Sequence, residues 1–193
     1  MLTLQGTIEI KTNRLLLRKF KNEDSEQAFN NWQSDEEVTK YLTWSAYKTL
    51  EDAKKYRETE VIPNYGNNNF CSWAIVYNGE VVGAIDARID EDKRSANMGF
   101  VLGKKWWGKG IMPEALQAVI DYLFSHGITR IGATHKIENP NSGRVMEKCG
   151  MICEGTSRES AKDGHGNIHD SKVYSITNEK LRSNQIGRKT RLL

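Results

Sequence analysis

Proline and cysteine are scarce in this chain, three of each in 193 residues, and it contains no internal repeat and no low-complexity tract. No stretch approaches the roughly 20 consecutive apolar residues of a membrane span. Met1 to Lys11 lacks the basic start and apolar centre of a signal peptide. Cys71, Cys149 and Cys153 are an odd set without framework spacing, which excludes a disulfide scaffold and suits a reducing compartment. The cytoplasm is the expected location. Metal-ligand clusters are missing as well. His165 and His169 are four apart, but Gly164, Gly166 and Asn167 deny them the helix that would align two ligands, so the segment reads as a polar hairpin and no metal is expected.

What is present suits an ordinary globular protein. Hydrophobic residues at 38% and charged residues at 27% argue against extensive disorder. The length is enough for one well-buried core and short for two, so a single domain is expected over residues 1–178. The net charge of +3 says little about the folded body. Lys180, Arg182, Arg188, Lys189 and Arg191 face only Glu179 in residues 179–193, a basic tail expected to be a flexible end, and without it the body is close to neutral. Nucleic acid would call for a basic stripe on that body and is not an expected partner.

The most informative segment runs from Trp106 to Ala115. Gly108 and Gly110 let the backbone come close to a ligand with several N–H groups pointing one way. The helix that follows adds its own unpaired amides and the positive end of its dipole. Pro113 suits the first helical position, Glu114 puts negative charge in the first turn, and Gly127 is placed to end the helix. Ala115, Leu116, Val119, Ile120, Leu123 and Phe124 recur at helical spacing as one apolar stripe. Spacing alone fits either an anion cradle or a tight strand-to-helix turn without a ligand. A P-loop is excluded, since no Lys-Ser or Lys-Thr follows Gly110, and the third glycine of the dinucleotide fingerprint is missing.

Reading outward from this loop, Ile8 to Phe20 predicts a strand or a bent pair of strands. Asp24 or Ser25 caps a helix through Trp32, Asp35 to Leu42 forms a second, and a third starts at Thr49, where Thr49 and Asp52 approximate a capping box. Pro63 ends or kinks that third segment. Strands are predicted over Phe70 to Tyr77, Glu80 to Ile89 and Ser95 to Leu102, with Asn78-Gly79 as a hairpin turn. After the loop helix come a strand over Ile128 to Ile137, a helix over Ser142 to Lys148 closed by Gly150, and strands over Met151 to Glu159 and Ile168 to Thr177. This order predicts a mixed α+β sheet rather than a doubly wound one.

Four segments together resemble the GCN5-related N-acetyltransferases, in the branch that includes ribosomal-protein N-terminal acetyltransferases. They are Thr12 to Arg18, Ala96 to Leu102, Trp107 to Ala115, and Asn139 to Met151. The resemblance implies a mostly antiparallel central sheet with one splayed parallel strand pair, flanked by helices. It implies acetyl-CoA as co-substrate, its pyrophosphate on the amides of Trp107, Gly108, Lys109, Gly110, Ile111 and Met112. Its pantetheine arm is expected along Phe100, Val101 and Leu102, where a bulge parts the strands. Asn139 and Ser142 match positions that reach the cofactor from the other side; as plain sequence, Asn139 or Asn141 could equally be a helix cap.

The implied reaction is direct transfer: an amine attacks the thioester, a tetrahedral oxyanion forms, and the thiolate leaves. A backbone amide at Val101 or Leu102 is the candidate oxyanion donor. The chain departs from the family pattern at Asn97, where many relatives carry a glutamate base, and at Met146, where many place an acid tyrosine. Ser142 is therefore the candidate acid, Tyr174 its alternative, and Glu138 and Glu159 are the candidate bases. An α-amine of pKa near 8 loses roughly 1.4 kcal/mol to protonation at pH 7 and a lysine roughly 4.6, so a site without a strong base favours a protein N-terminus or another low-pKa amine. Asn97 and Met146 also keep open a second reading, a non-catalytic acyl-CoA-binding regulatory protein.

Overall fold

The N-terminal apolar segment bends at Thr12–Arg14 into two short strands, β1 (Ile10–Lys11) and β2 (Leu15–Arg18), which pair antiparallel. The computed structural model describes residues 2–67 and 69–179. The expected basic tail lies, from residue 180 onward, outside the described residues. Helix α1 (Asp24–Ala28) runs on as a π-helical turn, Phe29–Gln33, that carries Trp32 into the interior. Asp24 sits inside the helix rather than capping it. Its carboxylate accepts from the Lys21 amide at 2.8 Å and from the Arg18 guanidinium at 2.7 and 2.9 Å, so its oxygens are committed to holding the end of β2.

Helix α2 (Glu36–Thr39) is shorter than predicted and is capped by Asp35, whose side chain accepts from the Glu37 and Val38 amides. Helix α3 (Leu50–Tyr56) starts with the expected capping box, Thr49 and Asp52 each taking the other's amide. It continues as a π-helical turn, Arg57–Val61, and Pro63 opens a 3₁₀ turn beyond it.

Strand β3 (Phe70–Tyr77) turns at Asn78 and Gly79, with φ of 51° and 80°, into β4 (Glu80–Asp90). Positive φ at both positions is what a tight two-residue hairpin requires. Then follow β5 (Ser95–Leu102), α4 (Ile111–Ser125), β6 (Arg130–Lys136), α5 (Pro140–Lys148), β7 (Ile152–Lys162) and β8 (Ile168–Thr177). Helix α4 begins two residues before Pro113, with Gly110 as its N-cap. Pro113 still lies in the first turn, where its absent N–H breaks no helical bond.

The eight strands form one sheet in the order β1-β2-β3-β4-β5-β6-β8-β7. Every neighbouring pair is antiparallel except β5 and β6. This is the mixed α+β sheet that the order of elements predicted, with the mostly antiparallel pairing and single parallel pair that the resemblance implied. One face packs Leu17, Trp73, Ile85 and Ile131 against Leu116, Val119 and Leu123 of α4. The other packs Ala74, Val76 and Val81 against Phe20, Ala28 and Trp32 from the α1 side. Each fully buried Leu or Ile contributes roughly 1.5–3 kcal/mol, so the sheet is fixed from both sides. Among the described residues no helix is long and apolar enough to cross a membrane.

Candidate active site

The two parallel strands keep company for only four residues. Ser95 to Met98 of β5 pair with Arg130 to Ala133 of β6, and beyond that β5 is paired only with β4, and β6 only with β8. Between Gly99–Leu102 and Thr134–Lys136 the sheet opens into a V. Backbone groups of Phe100 and Leu102, which point away from β4, therefore face a gap instead of a strand, whereas Val101, expected to face it too, turns its own toward β4, because the Gly103 amide bonds the Val82 carbonyl and alternate residues of β5 follow the same pattern. The expected bulge is not what opens it, since the β4–β5 ladder runs without a register shift from Asp90↔Ser95 to Gly83↔Leu102. Close approach does occur at this point. A Cβ on Gly83 would lie 2.4 Å from the Val101 carbonyl oxygen, so only glycine lets β4 press against β5 there.

The end of β5 delivers the chain to the glycine loop. A Cβ on Gly103 would meet the Asn31 carbonyl at 2.5 Å and the Trp106 ring at 2.7 Å, which sets the direction of exit. Gly108 and Gly110 have φ of 74° and 73°, and a Cβ on Gly108 would touch nothing. The left-handed backbone, not crowding, is the reason for glycine at Gly108. The loop is braced at three points. The exposed Trp107 indole donates to the Leu102 carbonyl at 2.7 Å, Arg14 Nη1 donates to the Lys109 carbonyl at 3.0 Å, and Arg14 Nε meets Glu114 at 2.7 Å. Burial opposes ionisation of Glu114, but hydrogen bonds from Thr12 and Arg14 outweigh it and hold the carboxyl below its usual range. What remains is a left-handed turn feeding a helix N-terminus, the geometry in which amides from Gly108 to Met112 suit a diphosphate.

Helix α5 supplies the opposite wall of the V. Asn139 occupies its N-cap position but caps no amide; its side-chain nitrogen donates to Ser142 Oγ at 3.0 Å. Ser142 is half-buried and is held by this bond at the first turn of α5. The helix lies directly on the sheet because residue 143 is glycine: a Cβ there would be 2.8 Å from His135 Nε2 and 3.0 Å from the Tyr174 hydroxyl. Tyr174 is buried on this face and donates to Glu147 at 3.0 Å. Burial, with the Glu147 carboxylate beside it, pushes the phenol up to about 12. Met146 is fully buried in the core.

The structure separates the other candidates. Glu138 is exposed in the loop after β6, 3.6 Å from His169. Glu159 is exposed on edge strand β7, with β8 and β6 between it and β5. His165 and His169 serve the hairpin between β7 and β8, where the Asp163 carboxylate accepts from the His165 amide and from His169 Nε2, each at 2.9 Å. That hairpin meets the loop before α3, Ser45 Oγ donating to the Gly164 carbonyl at 2.8 Å. Together they bound a pocket of about 720 Å³ whose lining includes Thr43, Thr134, Asp163 and His165.

Sequence reasoning passed over two residues on the α1–α3 face of the sheet. Ile85, Ala87 and Met98 point into the α4 side of the core, so Asp86, Asn97, Gly99 and Val101 point to the other side. Asp86 lies across from Gly99 on β5 and from Ser72 on β3. Burial pushes its carboxyl up, against the pull of Ser72, Arg57 and Arg88. Arg57 is 1% exposed, its guanidinium 3.7 Å from the Phe20 ring, and its Nε and Nη2 find no partner among the described residues. No periodic or motif signal marks either residue, because their meeting depends on the turn after α3 coming close to β4 in space.

Comparison with known proteins places this geometry. Residues 14–152 match the family model described as an acetyltransferase (GNAT) domain. The uncharacterized N-acetyltransferase p20 of Bacillus licheniformis is 32% identical over 86% of this chain and 93% of its own length. The ribosomal-protein-serine acetyltransferase of Escherichia coli (strain K12) is 31% identical over 62% of this chain and 68% of its own. The crystal structure of a GNAT-family acetyltransferase from Bacillus anthracis superimposes with a TM-score of 0.77 at 32% identity, covering 89% of this chain and 99% of that one. With the splayed strands, the glycine loop and α5 in their places, the chain belongs to the GNAT family of acetyltransferases.

Proposed function

We propose that this enzyme acetylates a primary amine, either a protein N-terminal α-amine or a small amine of similar pKa, with acetyl-CoA as donor and by direct attack. The observation that carries the reading is the edge of β5 left unpaired beyond Met98, which leads directly into the left-handed glycine loop and the N-terminus of α4. Acetyl-CoA supplies the thioester carbonyl and a stable leaving thiolate. The amides of Gly108 to Met112 hold its diphosphate, and the free edge of β5 at Phe100 and Leu102 aligns the pantetheine arm. The amide of Leu102, which faces away from β4, donates to the oxyanion, an interaction worth roughly 3–4 kcal/mol when well aimed.

Ser142 is the proton donor to the departing sulfur: its oxygen accepts from Asn139, which leaves the hydroxyl proton free to be donated. Tyr174 is the alternative donor, though its hydroxyl is engaged by Glu147. The name of the Escherichia coli relative, a ribosomal-protein-serine acetyltransferase, supports a protein acceptor. The protonation cost of roughly 1.4 kcal/mol for an α-amine against 4.6 for a lysine at pH 7 points the same way.

The test is thiol release from acetyl-CoA with a panel of alanyl and seryl peptides and alkyl amines, with Gly110→Trp as the loop control. Turnover with one amine class, lost in the variant, is the expected result. Coenzyme A binding without acceptor-dependent thiol release anywhere in the panel would overturn the reading.

A further inference from the structure

We propose that Asp86 takes the proton of the acceptor ammonium, and that the open space over Gly99 is where the amine meets it. The proposal rests on the amine-acetyltransferase reading above. Asn97 has no proton-accepting side chain, and Glu138 and Glu159 are solvent-exposed outside the β4–β5 ladder. Asp86 stands on β4 directly across from Gly99, and the next pair along that face is Ala84↔Val101. The carboxylate therefore lies on the same ladder as Leu102, the oxyanion donor.

Gly99 has an ordinary strand backbone, absent from the positive-φ residues, and a Cβ there would touch nothing within 4 Å. Neither conformation nor crowding demands glycine at that position. What the missing side chain leaves is room beside Asp86, on the face that also carries Asn97 and Val101.

The surroundings suit a carboxylate that must be ionised yet reactive. Arg57 from the turn after α3 and Arg88 from β4 act on it through space, and the Tyr56 and Tyr65 hydroxyls and the Cys71 thiol are the other titratable groups within its field. Burial raises its proton affinity and the two arginines lower it, which leaves a stronger base than an exposed aspartate. Arg57 is the more telling neighbour, because a buried cation with two N–H groups unpartnered among the described residues is costly to keep, and its stack on Phe20 leaves those groups unsatisfied.

The chemistry balances. The ammonium gives one proton to the Asp86 carboxylate, and the freed nitrogen lone pair forms the C–N bond to the acetyl carbon. The C–S bond breaks with its electron pair on sulfur, the nitrogen loses a second proton, and sulfur gains one. Asp86 returns its proton to water, so one proton is released per amide formed.

The experiment compares wild type, Asp86→Asn and Asp86→Glu with an alanyl peptide, reading kcat/KM against pH and coenzyme A affinity by calorimetry. Asp86→Asn is expected to bind coenzyme A within twofold of wild type and to lose about 10²–10⁴-fold in kcat/KM at pH 7. The profile should also change shape. Wild type takes up the ammonium and stays level between the pKa of Asp86 and that of the amine, whereas the Asn variant must wait for neutral amine and rises tenfold per pH unit over the same range. Asp86→Glu should restore the level profile. A rate loss with unchanged profile shape, or a parallel loss of coenzyme A affinity, would make Asp86 a structural residue and overturn the proposal. No thiol release by wild type with bound donor would overturn the amine-acetyltransferase reading itself, and the proposal with it.

Discussion

Arg14 and Glu114 join the opening strand to the first turn of α4 across a hundred residues of sequence: Arg14 Nε lies 2.7 Å from Glu114 Oε2. The other carboxylate oxygen takes the Arg14 amide at 3.0 Å and the Thr12 hydroxyl at 2.6 Å, and Arg14 Nη1 reaches on to the Lys109 carbonyl at 3.0 Å. One arginine thus ties strand, loop and helix, so the cradle is held from behind by the N-terminal segment.

Glu114→Gln tests that brace. The pair is partly exposed, so the stability loss should be about 0.5–1.5 kcal/mol, with a several-fold higher KM for acetyl-CoA. The sign with pH follows from the lowered carboxyl. Its contribution is complete above the unfolded value of 4.5 and is lost as pH falls through the lower folded value. The Tm difference between wild type and variant should be constant from neutral pH down to about 5 and shrink below that. A difference that grew on acidification would contradict this account.

Two glycines of the β4–β5 ladder should behave oppositely. Gly83→Ala drives a Cβ into the Val101 carbonyl, a backbone atom that cannot step aside. A loss of about 1–3 kcal/mol is expected by denaturant titration, with weaker coenzyme A binding because β5 moves at the V. Gly99→Ala enters open space, and its stability should be equal or slightly higher.

Gly110→Ala separates conformation from charge at the loop. The left-handed φ of 73° costs an L-residue about 1–2 kcal/mol, while the nearest contact of the new Cβ, Arg14 Nη2 at 3.5 Å, is ordinary. Coenzyme A affinity measured by calorimetry should fall by about tenfold, and an unaltered affinity would remove the amides of this turn from the binding argument.

Ser142→Ala should lower kcat by about 10–10²-fold with little effect on the KM for acetyl-CoA, since the hydroxyl is assigned to the departing sulfur. Tyr174→Phe should lower kcat less, its phenol being bound to Glu147 and holding its proton up to about 12. The reverse ranking in steady-state kinetics would move the acid role to Tyr174.

Arg57→Met offers a trade between stability and turnover. Removing a buried cation with two unsatisfied donors, while keeping a chain that packs on Phe20, should leave Tm unchanged or higher. Acceptor turnover should fall, because Asp86 loses the nearby charge that favours its ionised form. Acceptor turnover equal to wild type would remove Arg57 from the proton-transfer argument.

Local dihedral demands and periodicity made much of this protein legible in its residues. Asn78-Gly79 needs positive φ and forms the hairpin turn; Thr49 and Asp52 satisfy each other's amides; the apolar stripe of α4 and the two left-handed glycines shape the turn into that helix. Each of these is decided within a few residues of chain, so the amino acids carry the signal themselves. The V, the close contact at Gly83 and the meeting of Asp86 with Arg57 are of another kind. They depend on β8 entering between β6 and β7, on where two parallel strands part, and on the turn after α3 reaching the neighbourhood of β4. A carboxylate in an alternating strand has the same sequence signature whether it faces water or a buried arginine. Only the packing of distant elements chooses between those surroundings, because desolvation and charge act through space and not along the chain.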